Sequence, residues 1–163
     1  LKNQKQFIVE SHELVVKHNI HIHFVGDYTN YAIQCKEIVE EKNLSGYFTF
    51  HGFTKDIYQF YQAADLVVLA SKREGLARCM IESIACGKPV VSFNVVSANE
   101  ILTTNNCGIV VPQGNYKMLF DLAHQLIQNK SQIEEFSKNG RNLANNLFSK
   151  KNIVASYQKI YLN

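Results

Sequence analysis

The amino-acid sequence predicts an α/β domain, a parallel β-sheet with helices on both faces. Three observations predict it. Short β-branched runs alternate with helical patterns along nearly the whole chain, which implies right-handed βαβ crossovers. The runs at 66–70 and 90–91 are apolar without alternation, as expected of strands buried on both sides. A length of 163 residues, with 46% apolar and 19% charged side chains, suffices for one globular domain with its own core.

The elements follow in order. Residues 4–17 suit a helix, 21–25 a strand, 31–42 a helix, 47–50 a strand and 56–64 a helix. A strand at 66–70, a helix at 78–86, a strand at 89–93, a helix at 98–103 and a strand at 108–111 continue the alternation. Segments 115–128, 132–147 and 151–162 then close the chain as successive helices. Each strand is a run of four or five residues ending near Gly, Ser, Asp, Asn or Pro. No linker, low-complexity stretch or repeat interrupts the pattern, so residues 1–163 form a single domain.

Composition excludes several classes of function. Seventeen Lys and Arg against fourteen Asp and Glu leave +3, too weak a field for a nucleic-acid partner or an anionic membrane. The apolar runs fall far short of the roughly 18 residues of a membrane span. The chain opens on Leu1 with no initiator Met and no signal-peptide pattern, which points to a piece of a longer protein. Cys35, Cys79, Cys86 and Cys107 make no CxxC pair and no zinc spacing, and each sits in an apolar or helical stretch. That usage fits reduced thiols in the cytosol. His21 and His23 share one face of a strand and read as packing or exposed residues rather than metal ligands.

In an open parallel sheet the ligand lies beyond the carboxyl ends of the strands. Three loops stand there, at 26–30, 51–56 and 71–78. None carries GxGxxG or GxxxxGK[ST], so a nicotinamide dehydrogenase and a P-loop NTPase are set aside. The informative segment is 71–91, which leaves a buried strand, turns through Glu74-Gly75, runs a short helix and re-enters a strand after Gly87-Lys88-Pro89. A helix starting behind such a loop presents unpaired N–H groups that favour a phosphate, and Gly75 lets the backbone approach a ligand closely. Glu74 and Glu82 are eight residues apart, about 12 Å on a helix and within about 80° of one face, so both can border one groove. Carboxylates so placed accept hydrogen bonds from vicinal hydroxyls. A structural reading stands beside this one: Ser71-x-x-Glu74 fits a capping box, and Glu82 fits a solvated helix residue. Spacing alone leaves both open.

The segment resembles the E-x7-E signature of retaining glycosyltransferases of the GT4 family, written EGFGLxxxEAxAxGxPVV. Glu74 and Glu82 match its two acids, Gly75 and Leu76 the next positions, and residues 85–91 the strand entry. The resemblance covers nearly the whole chain: residues 22–27 are similar to the family's strand-then-GD element, residues 50–53 and 61–69 to its xxGF…YxxADLxVxPS stretch, and residues 106–112 to its dGxNGxLVP segment. The last helix, with Phe148, Tyr157 and Tyr161, resembles the closing helix that packs across the family's two domains.

The resemblance implies a Rossmann-like parallel sheet, the C-terminal half of a GT-B fold. Lys2-Asn3 resembles the element after that half's first strand, so the strand and the acceptor-binding N-terminal domain would precede Leu1. It implies transfer of a sugar from a nucleotide diphosphate sugar to a glycan or lipid-linked acceptor with retained configuration, in the cytoplasm or at the inner face of the membrane. Glu74 is then the catalytic acid placed against the donor hexose, and Glu82 holds the ribose. Lys2 and the N–H groups of Gly75 and Leu76 take the diphosphate, while Gly26, Gly52, Phe53 and Thr54 border the nucleobase. No cofactor and no metal is expected. Departures from the pattern are Ala77 for a glycine, and Val96-Ser97 where glycines usually stand. Ser97-x-x-Glu100 reads as a capping box, Asp65 as a turn residue, and Arg78 as either phosphate-facing or solvated. Two alternatives remain: a non-catalytic regulatory or interaction domain of the same fold, and a GT-B-like nucleotide-sugar epimerase.

Overall fold

The computed structural model describes residues 2–161. Helix α1 (Gln4–His18) leads to strand β1 (Ile22–Val25), α2 (Asn30–Glu41), β2 (Phe48–His51), α3 (Tyr58–Ala63) and β3 (Val67–Leu69). Then come α4 (Arg78–Ala85), β4 (Val90–Phe93), a π-helical turn (Asn99–Thr103) and β5 (Gly108–Val111). Helices α5 (Tyr116–Gln128), α6 (Lys130–Leu147) and α7 (Lys150–Tyr161) complete the described chain. Every strand read from the sequence is present, and every helix but the one expected at 98–103, with ends displaced by two residues at most. The expected end of α7 at Leu162 lies outside the described residues.

All strand pairs are parallel, but they form two sheets rather than one: β1–β2, with Ile22 opposite Phe48, and β3–β4–β5, with Val90 between Val67 and Gly108. The four residues of β4 are all buried, as its non-alternating run requires. Val91 and Phe93 face a core shared with Phe7, Ile8 and Val15 of α1, Cys35 and Val39 of α2, and Leu119, Phe120 and Leu126 of α5. That core also takes in Phe24, Phe48 and Val68, so one apolar layer underlies both sheets. Val90 and Leu69 turn to the opposite face, where Met80 and Ile84 of α4, Leu102, Leu143 and Ala144 pack. Helices therefore cover both faces, as expected. Truncating the fully buried Phe93 to Ala would cost about 3–5 kcal/mol.

Local capping sets several helix starts. Thr29 accepts from the Ala32 N–H, Asn115 from Met118 and Asn129 from Gln132, which fixes α2, α5 and α6 at residues with short polar side chains. Segment 98–103 is a wide turn instead of an α-helix, because the Thr104 N–H reaches back five residues to the Asn99 carbonyl. Asn105 Nδ2 satisfies the freed carbonyls of Glu100 and Ile101. No helix among the described residues is long and apolar enough to cross a membrane.

Candidate functional site

The carboxyl ends of the strands carry the groups singled out in the sequence. Asn3 anchors one side of this region. It is 8% exposed, adopts the left-handed conformation at φ 66°, and donates through Nδ2 to the Ala70 carbonyl at 3.2 Å and to the Tyr116 hydroxyl at 2.7 Å. The amino end of α1 is thereby tied to the end of β3, and Lys2 is aimed across the loop that follows β3. Its Nζ meets Glu74 Oε1 at 2.7 Å.

Glu74 does not stand on a helix. Residues 72–77 form an irregular loop and α4 starts only at Arg78, so the helical-face argument for Glu74 and Glu82 fails, and Ser71-x-x-Glu74 caps nothing. Burial of the Glu74 carboxyl by itself raises its pKa, but hydrogen bonds from Lys2 and the Ser71 hydroxyl outweigh this and hold it below the usual carboxylate range. Glu74 is thus ionised at neutral pH. The loop is braced from the other side: Ser97 Oγ donates to the Gly75 carbonyl at 2.8 Å. This corrects the capping-box expectation for Ser97 and Glu100, whose side chain is exposed. The hydroxyl is committed to the neighbouring loop.

Helix α4 begins at Ala77 (φ −72°, ψ 106°) with no side chain capping its first N–H groups, which leaves a partial positive charge open to an anion. Glu82 lies just over one turn further on. Its Oε1 accepts from Arg78 at 3.1 Å and its Oε2 from the Tyr61 hydroxyl at 3.0 Å. Arg78 is 88% exposed at its side chain and joins Glu82 rather than the core. Between the two acids sits Cys79. Burial pushes its thiol up, and Lys2, Glu74 and Glu82 all act on it, which places the three charged groups around the start of α4.

A second part of the site lies at the ends of β1 and β2. An open cavity of about 220 Å³ is lined by Gln4, Gly26, Asp27, Tyr28, Phe50 and His51 among others. The Gly26 N–H bonds the His51 carbonyl at 3.2 Å and the Tyr28 hydroxyl bonds the Phe50 carbonyl at 2.7 Å, so the two loops are locked together. Gly52 packs closely there: a Cβ on it would stand 3.0 Å from the Tyr28 ring, which would have to shift. Phe53 and Thr54 do not line the cavity. Phe53 is 68% exposed, and Thr54 accepts from the Asp56 N–H within its own loop. Leu76 is 55% exposed on the α4 side, and Asp65 is an exposed residue at the entry to β3.

The structure therefore brings Lys2, Glu74, Gly75, Leu76 and Glu82 to one loop–helix corner and puts Gly26 at the cavity. Gly52 stands behind the Tyr28 ring that lines it, and Phe53 and Thr54 lie outside both. Sequence reading gave no site role to Asn3 or Tyr61 and took Ser97 for a cap. Their partners lie 67, 21 and 22 residues away, beyond any local pattern. Among the described residues no group of three or more His, Cys, Asp or Glu is arranged to hold a metal ion.

Known proteins resemble this chain in sequence and in fold. The family described as glycosyl transferases group 1 matches residues 1–143. A capsular polysaccharide biosynthesis glycosyltransferase of Staphylococcus aureus is 29% identical over 106 residues, 65% of this chain and 28% of that protein. A putative glycosyltransferase of Bacillus subtilis, EpsD, is 27% identical over 162 residues, 98% of this chain and 42% of its own length. In fold, a mutant of S. aureus TarM in complex with fondaparinux, alpha-GlcNAc-glycerol and UDP superposes with a TM-score of 0.88 at 23% identity, covering 100% of this chain and 34% of TarM. The chain spans less than half the length of these relatives.

Proposed function

The chain belongs to the glycosyl transferases group 1 family, and from that premise we propose that it is the donor-binding domain of a retaining glycosyltransferase. The reaction moves a sugar from a nucleotide diphosphate sugar to a glycan or lipid-linked acceptor. One observation carries the reading: two ionisable acids and a lysine, 72 and 8 residues apart in sequence, gather at the uncapped start of α4 beside an open cavity.

Each group then has a task. The cavity takes the nucleobase, with Gly26, His51 and the Tyr28 ring among its walls. Glu82 accepts from the ribose hydroxyls, and Lys2 with the N–H groups of Gly75 and Leu76 takes the diphosphate. Negative charge grows on that leaving group as the glycosidic bond to the anomeric carbon breaks, and fixed positive groups stabilise it most where it grows. Lys2 turns from Glu74 to the diphosphate when the donor arrives, and the freed Glu74 carboxylate accepts from the hexose hydroxyls. Retention follows when the acceptor oxygen attacks from the face the diphosphate leaves, its proton passing to the departing oxygen. The reading assigns no step to a metal.

The rest of the enzyme belongs to the same proposal. In the doubly wound strand order 3-2-1-4-5-6, a strand ahead of α1 would seat between β1 and β3, the inner edges of the two sheets. An acceptor-binding domain would precede it, working in the cytoplasm or at the inner face of a membrane. The relatives named for capsular polysaccharide and similar products support a glycan acceptor.

Titration of the chain with UDP, GDP and ADP, with Glu82→Ala in parallel, tests the donor site. One of the three should bind and weaken about tenfold in the variant, the size of a lost hydrogen bond to a charged acceptor. No binding by any of them, in this chain or in one extended upstream, would favour the regulatory-domain reading.

A further inference from the structure

Glu82 is useful to a ribose only if its carboxylate is held still, with lone pairs turned outward. Its two visible partners differ in kind. Arg78 is on the same helix, four residues earlier, and its side chain is 88% exposed, so it is free to swing away and is screened by water. Tyr61 belongs to α3, is 8% exposed, and reaches across to α4 with its hydroxyl 3.0 Å from Glu82 Oε2. The rest of its ring is enclosed, and a buried aromatic ring without rotational freedom is a rigid post.

We infer that Tyr61 is a positioning residue of the donor site: its hydroxyl fixes the rotation of the Glu82 carboxylate so that the remaining lone pairs meet the ribose 2′- and 3′-hydroxyls. The inference rests on the donor-site reading of Glu82. Its chemistry is favourable at any physiological pH. Burial, with Glu82 as acceptor, pushes the Tyr61 phenol far above its ordinary range, so it remains protonated and donating. The bond runs from a neutral donor to a charged acceptor, which makes it one of the stronger types. It costs Glu82 nothing in ligand capacity, because a carboxylate has about four lone-pair positions and Tyr61 occupies one.

The test separates orientation from structural support. UDP, GDP and ADP are each titrated beside their 2′-deoxy forms into the chain, into Tyr61→Phe and into Glu82→Gln. The measured quantity is the ratio of affinities for the ribo and deoxyribo forms of whichever nucleotide binds. In the unsubstituted chain it should be about tenfold, one hydrogen bond to a charged acceptor. Tyr61→Phe keeps the ring and should lower the ratio to about threefold, with the thermal midpoint monitored in the same samples. Glu82→Gln should bring it close to one. A purely structural Tyr61 would weaken both forms equally and leave the ratio unchanged, and that result overturns the inference while sparing the site. No discrimination in the unsubstituted chain, or no binding in it or in one extended upstream, overturns the donor-site reading of Glu82 and the inference together. A ratio that survives Tyr61→Phe but collapses in Tyr61→Leu assigns the effect to the ring and also overturns the hydroxyl's role.

Discussion

Lys2 and Glu74 meet at 2.7 Å although 72 residues of chain separate them. The ion pair joins the segment ahead of α1 to the loop after β3, and Asn3 makes it possible by pinning that segment to the Ala70 carbonyl at the end of the same strand. Its members are unequal: the Lys2 side chain is 57% exposed, and that of Glu74 only 15%. On the donor-site proposal, the exposed partner is the one that would turn to an arriving diphosphate, and the sheltered one would stay in place for a sugar.

Opposite effects of two substitutions follow from that asymmetry. Glu74→Gln should tighten binding of the free nucleotide diphosphate severalfold, since it releases Lys2 and removes a negative charge that repels the ligand. The same change should lower transfer in the complete enzyme by two to three orders of magnitude, roughly the cost of a lost transition-state group. Lys2→Met should weaken the diphosphate about tenfold and the matching monophosphate far less. Calorimetric titration of both nucleotides reads the affinities, and the rate of sugar transfer by the complete enzyme reads the loss of turnover. Weaker diphosphate binding in Glu74→Gln would contradict the exchange of partners.

Acid should dissolve the pair in a defined direction. The folded Glu74 carboxyl lies below its ordinary value, so its contribution to stability is present in full above the unfolded carboxylate range, about 4.3. It is lost as pH falls through the lower, folded value. The difference in thermal midpoint between the chain and Glu74→Gln should be constant from pH 7 to about 5 and shrink below about 4. A difference that grows on acidification would show that Glu74 is not held ionised.

Much of this molecule was legible because local chemistry and tertiary need coincide. The run Gly108–Val111 reads as a strand from its β-branched residues between turn formers, and it is one. Asn115 and Asn129 cap the helices they precede. Glu74 and Glu82 were found through a motif, yet the helical spacing used to place them on one face was wrong, since the helix starts four residues after Glu74. Ser97 and Tyr61 were missed for a different reason. A serine three residues before a glutamate resembles a cap, and a tyrosine in an amphipathic helix resembles core. Only the packing of β4's exit loop on residues 72–77, and of α3 on α4, gives either hydroxyl its partner. A single continuous sheet was also expected. The two sheets share a core, but no hydrogen bonds pass between β1 and β3 among the described strands.

Ser97→Ala removes the brace on the Gly75 carbonyl. The bond is partly exposed, so its loss should cost about 0.5–1 kcal/mol and lower the thermal midpoint by a few degrees. Diphosphate binding should suffer more than folding, about three- to tenfold, because the Gly75 and Leu76 N–H groups lose their fixed direction. Ser97→Thr retains the hydroxyl and should restore binding. An affinity unchanged in Ser97→Ala would detach the loop's geometry from Ser97.

Two glycines test the packing around α4 and β4 without touching the site. Gly87 has φ +73°, and a Cβ there would fall 2.3 Å from the Arg141 guanidinium carbon. The guanidinium is the far end of an exposed, flexible chain and can move aside, so the left-handed backbone is the larger obstacle. Gly87→Ala should cost about 1–2 kcal/mol, and adding Arg141→Ala should recover little of it. Gly108 presents the reverse case. Its backbone is ordinary, but a Cβ would lie 2.4 Å from the Val90 carbonyl oxygen in the adjoining strand. Neither backbone can yield without opening the β4–β5 ladder, so Gly108→Ala should cost more, about 2–4 kcal/mol. Urea unfolding of the three variants orders them. A Gly87→Ala loss cancelled by Arg141→Ala would mean that the side-chain contact, and not φ, makes glycine necessary at the turn into β4.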